Sequence, residues 1–202
     1  MKIVKPSVKL EWSTPKALKV IEKAGRTCYK SESKITPESS EKFVRGVIKN
    51  GHESVLEHAC ASFRFVVDRG VSHEMVRHRI ASFSQESTRY CNYTKDKFNN
   101  HIRLIHPKGL TKSQIKRRNQ HFMAVQALYE LEIAEGIKPQ IARGILPNAL
   151  RTEIVMTCNF REWRKVLSLR TVYAAHPQIV EVMRIVLQWF RKNYPVIVED
   201  LL

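Results

Sequence analysis

One stretch of the chain, residues 77–90, concentrates side chains that bind phosphate. It reads RHRIASFSQESTRY and holds three arginines, one histidine and four serine or threonine hydroxyls. Guanidinium groups bind phosphate through paired N–H donors, and hydroxyls add short donors beside them. The alternative is that these cations only stabilise the C-terminus of a helix. Because consecutive helical residues point about 100° apart, Arg77, His78 and Arg79 contact different partners or mark a helix end.

An arginine on the apolar face of a predicted helix also indicates a bound anion. In the helix that follows Asn159, Arg170 shares a face with Trp163, Val166 and Leu167. A guanidinium on such a face is costly unless it is paired, so Arg170 should meet a carboxylate or a ligand. A structural ion pair is the commoner explanation. Near the N-terminus of the same helix the dipole disfavours a cation, so the Arg161 side chain also suggests a ligand anion.

Residues 51–58 read GHESVLEH, and their two histidines and two glutamates could suggest a metal site. The spacing is not HExxH and no cysteine joins the group, so we expect no metal. A neutral His52 that contacts a ligand fits as well as a partly buried structural histidine. The sequence also lacks GxGxxG, GxxxxGK[ST] and GxSxG patterns. A Rossmann phosphate turn, a P-loop and an α/β-hydrolase elbow are therefore excluded.

The composition indicates a folded protein and the kind of partner that it binds. The 202 residues have a hydrophobic fraction of 43% and a formal net charge of +16, which excludes a disordered chain and predicts an anionic partner. Nucleic acid, an acidic membrane and phosphorylated small molecules would all satisfy that charge. Four cysteines without a CxxC pair argue against a zinc ribbon or a disulfide scaffold. With no long apolar run and no signal-peptide core, we expect a cytoplasmic protein.

Helix caps and apolar periodicity predict the elements that carry these residues. Helices are predicted over residues 14–25, 36–51 and 111–136, after Asn159 and after His176-Pro177, with a short helix that Ser72 caps and that runs into Arg77. Strands are predicted over residues 60–68, 101–106 and 152–158. Helices dominate and no repeat or linker is visible. The sequence therefore predicts a single helix-rich α+β domain over residues 1–202.

The order of these motifs resembles one known family. Arg77-His78-Arg79, followed after seven residues by Ser87, resembles the RHR-x7-S motif of the flavin-dependent thymidylate synthases, the ThyX family. Three further segments agree in order: Gly51-His52-Glu53-Ser54 with Glu57-His58, Arg143 ahead of Ile145-Leu146-Pro147, and Asn159-Phe160-Arg161 ahead of Leu169-Arg170. The match covers roughly residues 20–190, nearly the whole chain.

The resemblance implies a methyltransferase that converts dUMP to dTMP by reductive methylation. It implies 5,10-methylenetetrahydrofolate as the carbon donor and FAD, reduced by NADPH, as the hydride source. The implied fold is an α+β domain with an antiparallel sheet, assembled as a homotetramer with active sites between subunits. Nucleic acid and membrane are not expected as partners.

The resemblance also implies the roles of individual residues. The dUMP site would comprise Glu74, Met75, Val76, Arg77, Gln85, Glu86, Ser87, Thr88, Arg89, Arg143 and Arg170. Ser87 and Arg89 would hold the phosphate, and Arg170 would be the catalytic residue that favours the ionised uracil ring. The FAD site would comprise His52, Ser54, Glu57, Arg77, His78, Arg79, Gln85, Asn159, Phe160, Arg161 and Lys165.

Some residues depart from the family pattern, and other classes of protein compete. Gln85 stands where relatives often carry an acid and Glu86 follows it, so either could face the nucleotide. Lys165 replaces a residue, often Asn or His, that tends to touch the flavin, and residues 171–175 also differ. The rivals are a folate-dependent synthase with a cysteine nucleophile, a nucleic-acid-binding module and an inactive family member. The cysteine settings lack a PCQ site, and no nucleic-acid motif occurs.

Overall fold

The computed structural model describes residues 1–201. The helices are α1 (Ala17–Thr27), α2 (Ser39–Lys49), α3 (Arg69–Met75), α4 (Lys112–Ala134), α5 (Pro139–Ala142), α6 (Phe160–Arg170) and α7 (Pro177–Asn193). The strands are β1 (Lys2–Ile3), β2 (Ser7–Ser13), β3 (Cys60–Asp68), β4 (Ser82–Gln85), β5 (Arg103–Leu104) and β6 (Arg151–Asn159). A 3-10 helix covers Glu53–His58. Over residues 1–201, no helix is both long and apolar enough to cross a membrane.

Four strands form the main sheet in the order β2–β3–β6–β4. The sheet is antiparallel, and hydrogen bonds at the two ends of the β3–β6 pair show it. The Phe160 amide donates to the Ala59 carbonyl at 2.8 Å, and the Arg69 amide donates to the Leu150 carbonyl at 3.0 Å. The start of each strand therefore lies beside the end of the other. This confirms the predicted α+β class with an antiparallel sheet.

The contacts divide the chain into two compact units. The first comprises Met1–Ser7, Phe65–Arg77 and Ser84–Ile154, and the second comprises Val8–Arg64, His78–Phe83 and Val155–Leu202. In the first unit β1 and β5 form a parallel pair, with Lys2 opposite Arg103. Its core is built from Tyr93, Ile102, Leu104, Phe122, Tyr129, Ala142 and Leu150.

Aromatic side chains build the core of the second unit. The ring of Phe63 meets the rings of Trp163 and Trp189 edge-on, each at 5.2 Å between centroids. Phe190 packs against the same cluster from α7. The Trp163 indole N–H donates to the Ala61 carbonyl at 3.0 Å, so burial leaves no unsatisfied donor on that ring. These contacts hold α6, which carries Arg161 and Arg170, in place.

Several of the predicted helix caps are confirmed. Thr111 and Gln114 form a capping box at the start of α4, and the Asn159 side chain accepts from the Glu162 amide at the start of α6. α2 ends at Asn50, and Gly51 follows with φ +71°, a conformation that glycine adopts without strain.

Three helix predictions are wrong in their boundaries. α2 begins at Ser39, with Glu38 as its N-cap, and not at residue 36, whose amide donates to Ser39 Oγ. α1 begins after Lys16 and continues past Gly25, which was predicted to end it. Gly25 is required instead by packing, because a Cβ there would lie 2.6 Å from Phe43 Cζ. α3 is capped by the Asp68 side chain, which accepts from the Val71 amide, so Ser72 lies inside the helix. α3 also ends at Met75, and the three residues of the RHR motif therefore follow the helix.

Arg164 ties α6 to the end of the chain. Arg164 is 7% exposed, and its guanidinium donates to both carboxylate oxygens of Asp200, at 2.7 and 2.8 Å, and to the Ile197 carbonyl. It also lies 3.1 Å from the Glu53 carboxylate. The Arg164 hydrogen bond holds the pKa of Asp200 below its usual range.

Replacing Arg164 by methionine is expected to lower the free energy of unfolding by about 2–4 kcal/mol. The loss leaves the Ile197 carbonyl without this donor and two carboxylates without their cation. Urea denaturation at pH 7 measures the effect. Arg45→Met is the control, because Arg45 pairs with Glu41 and Glu199 at the surface, where such pairs contribute below about 1 kcal/mol. Equal losses in the two variants would contradict the prediction.

Candidate functional site

The second unit contains a large cavity of about 1050 Å³ beside α1, α2 and the 3-10 helix. Three residues assigned to FAD by resemblance line it: His52, Ser54 and Arg161. Further cations come from Arg26, Lys34 and Lys42, while Phe43, Val47 and Val55 supply apolar surface. Such a wall suits a ligand that combines anionic groups with flat apolar rings.

Arg26 and Phe43, two of the side chains that line this cavity, are in contact with each other. The Arg26 guanidinium lies 4.7 Å from the centre of the Phe43 ring and pairs with Glu22, a carboxylate that is 1% exposed, at 3.0 Å. Because Arg26 is already paired, the cavity's uncompensated charge comes from other residues. Among residues 1–201, no ion-pair partner is seen for Lys34 or Lys42.

A smaller cavity of about 470 Å³ lies in the same unit and is also lined by Glu53 and Arg161. Three more predicted FAD residues line it: Glu57, Asn159 and Lys165. The Arg161 guanidinium, on the N-terminal turn of α6, pairs with Glu57 at 2.6 Å. That carboxylate offsets the unfavourable position of the cation at a helix N-terminus. Six of the predicted FAD residues therefore line two cavities that share lining residues.

Arg170, at the last position of α6, has a neutral partner. Its Nε–H donates to His78 Nε2 at 3.0 Å. The apolar face around Arg170 predicted a carboxylate or a ligand as its partner, and the histidine was not predicted. On the other side of the imidazole, His78 Nδ1 lies 3.7 Å from Glu162 Oε1. His78 and Glu162 are 6% and 5% exposed.

Burial keeps the His78 imidazole neutral. Desolvation, with the nearby cations of Arg170 and Lys165, lowers the pKa of His78 from 6.5 to about 4. Burial also raises the pKa of Glu162. The unfolded chain binds a proton at His78 below about pH 6.5 that the folded chain does not. This group's contribution to stability is therefore complete above pH 6.5 and falls as the pH drops towards 4.

The first unit carries most of the predicted dUMP residues and brings some of them together. The Arg143 guanidinium lies 3.4 Å from Thr88 Oγ1, and the Arg89 amide donates to Ser87 Oγ at 3.3 Å. Arg89 Nε–H donates to Gln140 Oε1 at 3.2 Å, a contact that sequence reasoning missed. Both guanidinium groups are exposed, as a site for an anionic ligand requires.

Gln85 and Glu86 both have partners inside the first unit. The Gln85 amide donates to Ser72 Oγ at 2.8 Å and to Thr152 Oγ1 at 3.2 Å.

Glu86 belongs to a second, separate set of contacts. It pairs with Arg151 at 2.6 Å and accepts from the Tyr93 hydroxyl at 2.9 Å. Burial, and then the Glu86 charge, raises the pKa of Tyr93. Arg151 also contacts Glu153. Arg151 was not singled out from the sequence, because its partner Glu86 is 65 positions away.

Burial limits what the remaining predicted residues can offer a ligand. Met75 and Phe160 are fully buried, so contact from either would come from the backbone. Phe160 instead packs against Phe190 and Tyr194, with centroids 5.1 and 5.2 Å away. Glu74 is half-buried, and the residues of this set that are exposed are Val76, Arg77 and Arg79.

Burial makes three of the four cysteines poor nucleophiles, and the described residues form no cluster that could hold a metal ion. All four cysteines are free thiols, and burial raises the pKa of Cys60, Cys91 and Cys158, which disfavours the nucleophilic thiolate. Within residues 1–201 no group of three or more His, Cys, Asp or Glu side chains is arranged to hold a metal ion.

Comparison with known proteins decides the family. The family model described as "Thymidylate synthase complementing protein" matches residues 9–196. A flavin-dependent thymidylate synthase of Geobacter sulfurreducens is 35% identical over 187 residues, which cover 86% of this chain and 78% of that protein. The chain belongs to the flavin-dependent thymidylate synthase family. A flavin-dependent thymidylate synthase of Mycobacterium tuberculosis is also 35% identical, over 193 residues and 74% of its length.

Solved structures show the same fold as this member of the flavin-dependent thymidylate synthases. The UMP/dUMP methylase PolB of Streptomyces cacaoi, bound with 5-Br dUMP, superposes with a TM-score of 0.83 at 23% identity and covers 98% of this chain and 96% of its own. ThyX of Helicobacter pylori, with FAD and dUMP, gives 0.80 at 23% identity and covers 97% and 98%. The predicted ThyX-like fold is therefore confirmed.

Proposed function

We propose that this flavin-dependent thymidylate synthase converts dUMP to dTMP, with 5,10-methylenetetrahydrofolate as carbon donor. The main support is the family match over residues 9–196, which includes the RHR-x7-S motif and its three companion segments. The pairing of Arg170 with a buried neutral His78 supports it from the structure. Rivals with a cysteine nucleophile are disfavoured by the raised thiol pKa values of Cys60 and Cys158.

The residues around the two cavities of the second unit fit FAD. His52, Ser54 and Asn159 offer hydrogen bonds, and Arg161 and Lys165 offer positive charge to a diphosphate. Phe43 and Val47 offer apolar surface to flat rings. FAD, when bound and reduced by NADPH, supplies the hydride. The side chains of the protein bind the ligands, orient them and stabilise the charge that develops on them.

Arg170 is assigned to the uracil ring of dUMP. A guanidinium held by a buried acceptor is pre-organised, so it stabilises negative charge on the ring without reorienting. His78 orients the Arg170 guanidinium, because the neutral imidazole accepts from Arg170 Nε–H and adds no repulsive charge. The half-buried position of Arg170 strengthens the effect by excluding part of the solvent.

The phosphate of dUMP is assigned to Ser87, Arg89 and Arg143. The contacts of Arg89 with Gln140, and of Arg143 with Thr88, orient both exposed guanidinium groups within the first unit. Two cations and a hydroxyl suit a phosphate dianion.

We also propose that residues 1–202 act as one catalytic domain in a homotetramer. The longest helix, α4, exposes Met123, Leu128 and Leu131, at 62%, 45% and 54%, and a second copy of the chain would cover this apolar surface. The free thiols of the described cysteines fit a cytoplasmic enzyme. Analytical ultracentrifugation of the FAD-loaded protein tests the assembly; a monomer would contradict it.

The visible absorption spectrum of the protein reconstituted with FAD is the first test of the function. We expect a bound-flavin spectrum that shifts when dUMP is added, followed by dTMP formation once folate and NADPH are supplied. A protein that binds no flavin and ignores dUMP would overturn the proposal. In that case the +16 charge makes salt-dependent nucleic-acid binding the next measurement.

A further inference from the structure

Glu162 is a buried carboxyl group that none of the assignments above uses. It lies in the first turn of α6, is 5% exposed, and its Oε1 is 3.7 Å from His78 Nδ1. Carboxyl groups are almost never this buried without a role for their charge or their oxygen atoms. The imidazole of His78 lies between Glu162 and Arg170 in the contacts of the second unit.

The contact between His78 and Arg170 shows on which nitrogen the imidazole proton lies. A neutral imidazole has one nitrogen that donates and one that accepts, whereas a guanidinium only donates. Because Arg170 Nε–H points at His78 Nε2 at 3.0 Å, Nε2 must be the acceptor. The proton is therefore on Nδ1, the nitrogen that faces Glu162 Oε1.

We propose that Glu162 is a positioning residue for Arg170. Its carboxyl group keeps the proton of His78 on Nδ1, and Nε2 thereby remains the acceptor that orients the Arg170 guanidinium. The inference deepens the proposed function and rests on it, since Arg170 is assigned there to the uracil ring. It adds to the site a residue that lines the smaller cavity and acts on Arg170 through His78.

The surroundings of the imidazole leave the tautomer as the property that Glu162 controls. Arg170 and Lys165 are the cations near His78, and with burial they keep it neutral above about pH 4. The other neutral tautomer would place an N–H against the Arg170 N–H, and the guanidinium would have to turn away. A shift of about 1 Å in a catalytic group can cost about 100-fold in rate.

Magic-angle-spinning NMR of the FAD-loaded enzyme, labelled with 15N-histidine, tests the tautomer directly. His78→Gln serves only to assign the His78 signals. We expect a protonated Nδ1 and an unprotonated Nε2 in the wild-type enzyme. A proton on Nε2 would overturn the proposal, whatever the variants do in turnover.

Two variants of Glu162 test the consequence for catalysis. Glu162→Leu removes the oxygen atoms that face Nδ1, so we expect a mixture of tautomers and a kcat lower by about 10- to 100-fold. KM for dUMP and Kd for FAD should stay within about twofold, because the leucine variant keeps the groups assigned to ligands. Glu162→Gln is the matched variant. Its amide oxygen still faces Nδ1, so it should keep the tautomer and most of kcat.

Two kinetic results would overturn the role of Glu162. One is an unchanged kcat in Glu162→Leu, and the other is an equal loss of kcat in both variants. A wild-type enzyme that makes no dTMP would instead contradict the proposed function, so the two failures are distinguishable.

Discussion

Arg170→Ala is expected to remove measurable turnover, a loss of at least about 10³-fold in kcat, while FAD remains bound. Alanine supplies no positive charge, and the guanidinium is assigned to the negative charge that develops on the uracil ring. Its partner His78 is neutral and buried, so it cannot take over as a cation. Steady-state dTMP formation and the flavin absorbance of the purified variant measure the two effects.

Two further variants are compared with Arg170→Ala: Arg170→Lys keeps the charge at this position, and Arg184→Ala is the control. The lysine keeps a positive charge but lacks the planar fork and the Nε–H that His78 accepts, so most of the activity should still be lost. Arg184 is exposed on α7, and its removal should change kcat little. Loss of flavin from Arg170→Ala, with activity restored when FAD is added back, would contradict the assignment.

Arg89→Ala is expected to raise KM for dUMP by about 10- to 100-fold, with a smaller change in kcat. A hydrogen bond to a charged group contributes about 1.5–3 kcal/mol, and the phosphate lies away from the reacting carbon. Ser87→Ala should act in the same direction through loss of the hydroxyl donor. Initial rates at varied dUMP, with folate and NADPH saturating, measure both.

The control for these phosphate variants is Arg118→Ala. Arg118 is exposed on α4 and changes the net charge by the same amount, so it separates loss of a specific contact from loss of overall positive potential. An unchanged KM for dUMP in both Arg89→Ala and Ser87→Ala would show that the phosphate binds elsewhere. Equal effects of Arg89 and Arg118 would indicate long-range attraction only.

Three features that depend on neighbours in sequence were predicted correctly. The Asn159 cap, the capping box of Thr111 and the end of α2 at Asn50 use bonds over three or four residues, so the sequence contains both partners side by side. The boundary at Gly25 was wrong for the opposite reason. Whether a glycine ends a helix or lets another helix approach depends on Phe43, which lies in α2.

The site residues could also be predicted from the sequence, whereas the residues that they contact could not. The RHR-x7-S motif and its companion segments identified the family from type and spacing alone, and the family match confirms it. The contacts of Arg170 with His78, and of Arg151 with Glu86, join residues 92 and 65 positions apart. No local rule connects such positions, because only the folded chain brings them within hydrogen-bond distance.

By itself, the sequence determined the class of the fold, several of the helix caps, the family and the set of residues available for chemistry. Each of these depends on residue type and short-range spacing. Only the tertiary structure decided that His78 is neutral, that Arg170 donates a hydrogen bond to it, and that Glu162 lies on the other side of the imidazole. Burial and electrostatic surroundings set those properties, and both arise when distant segments pack together.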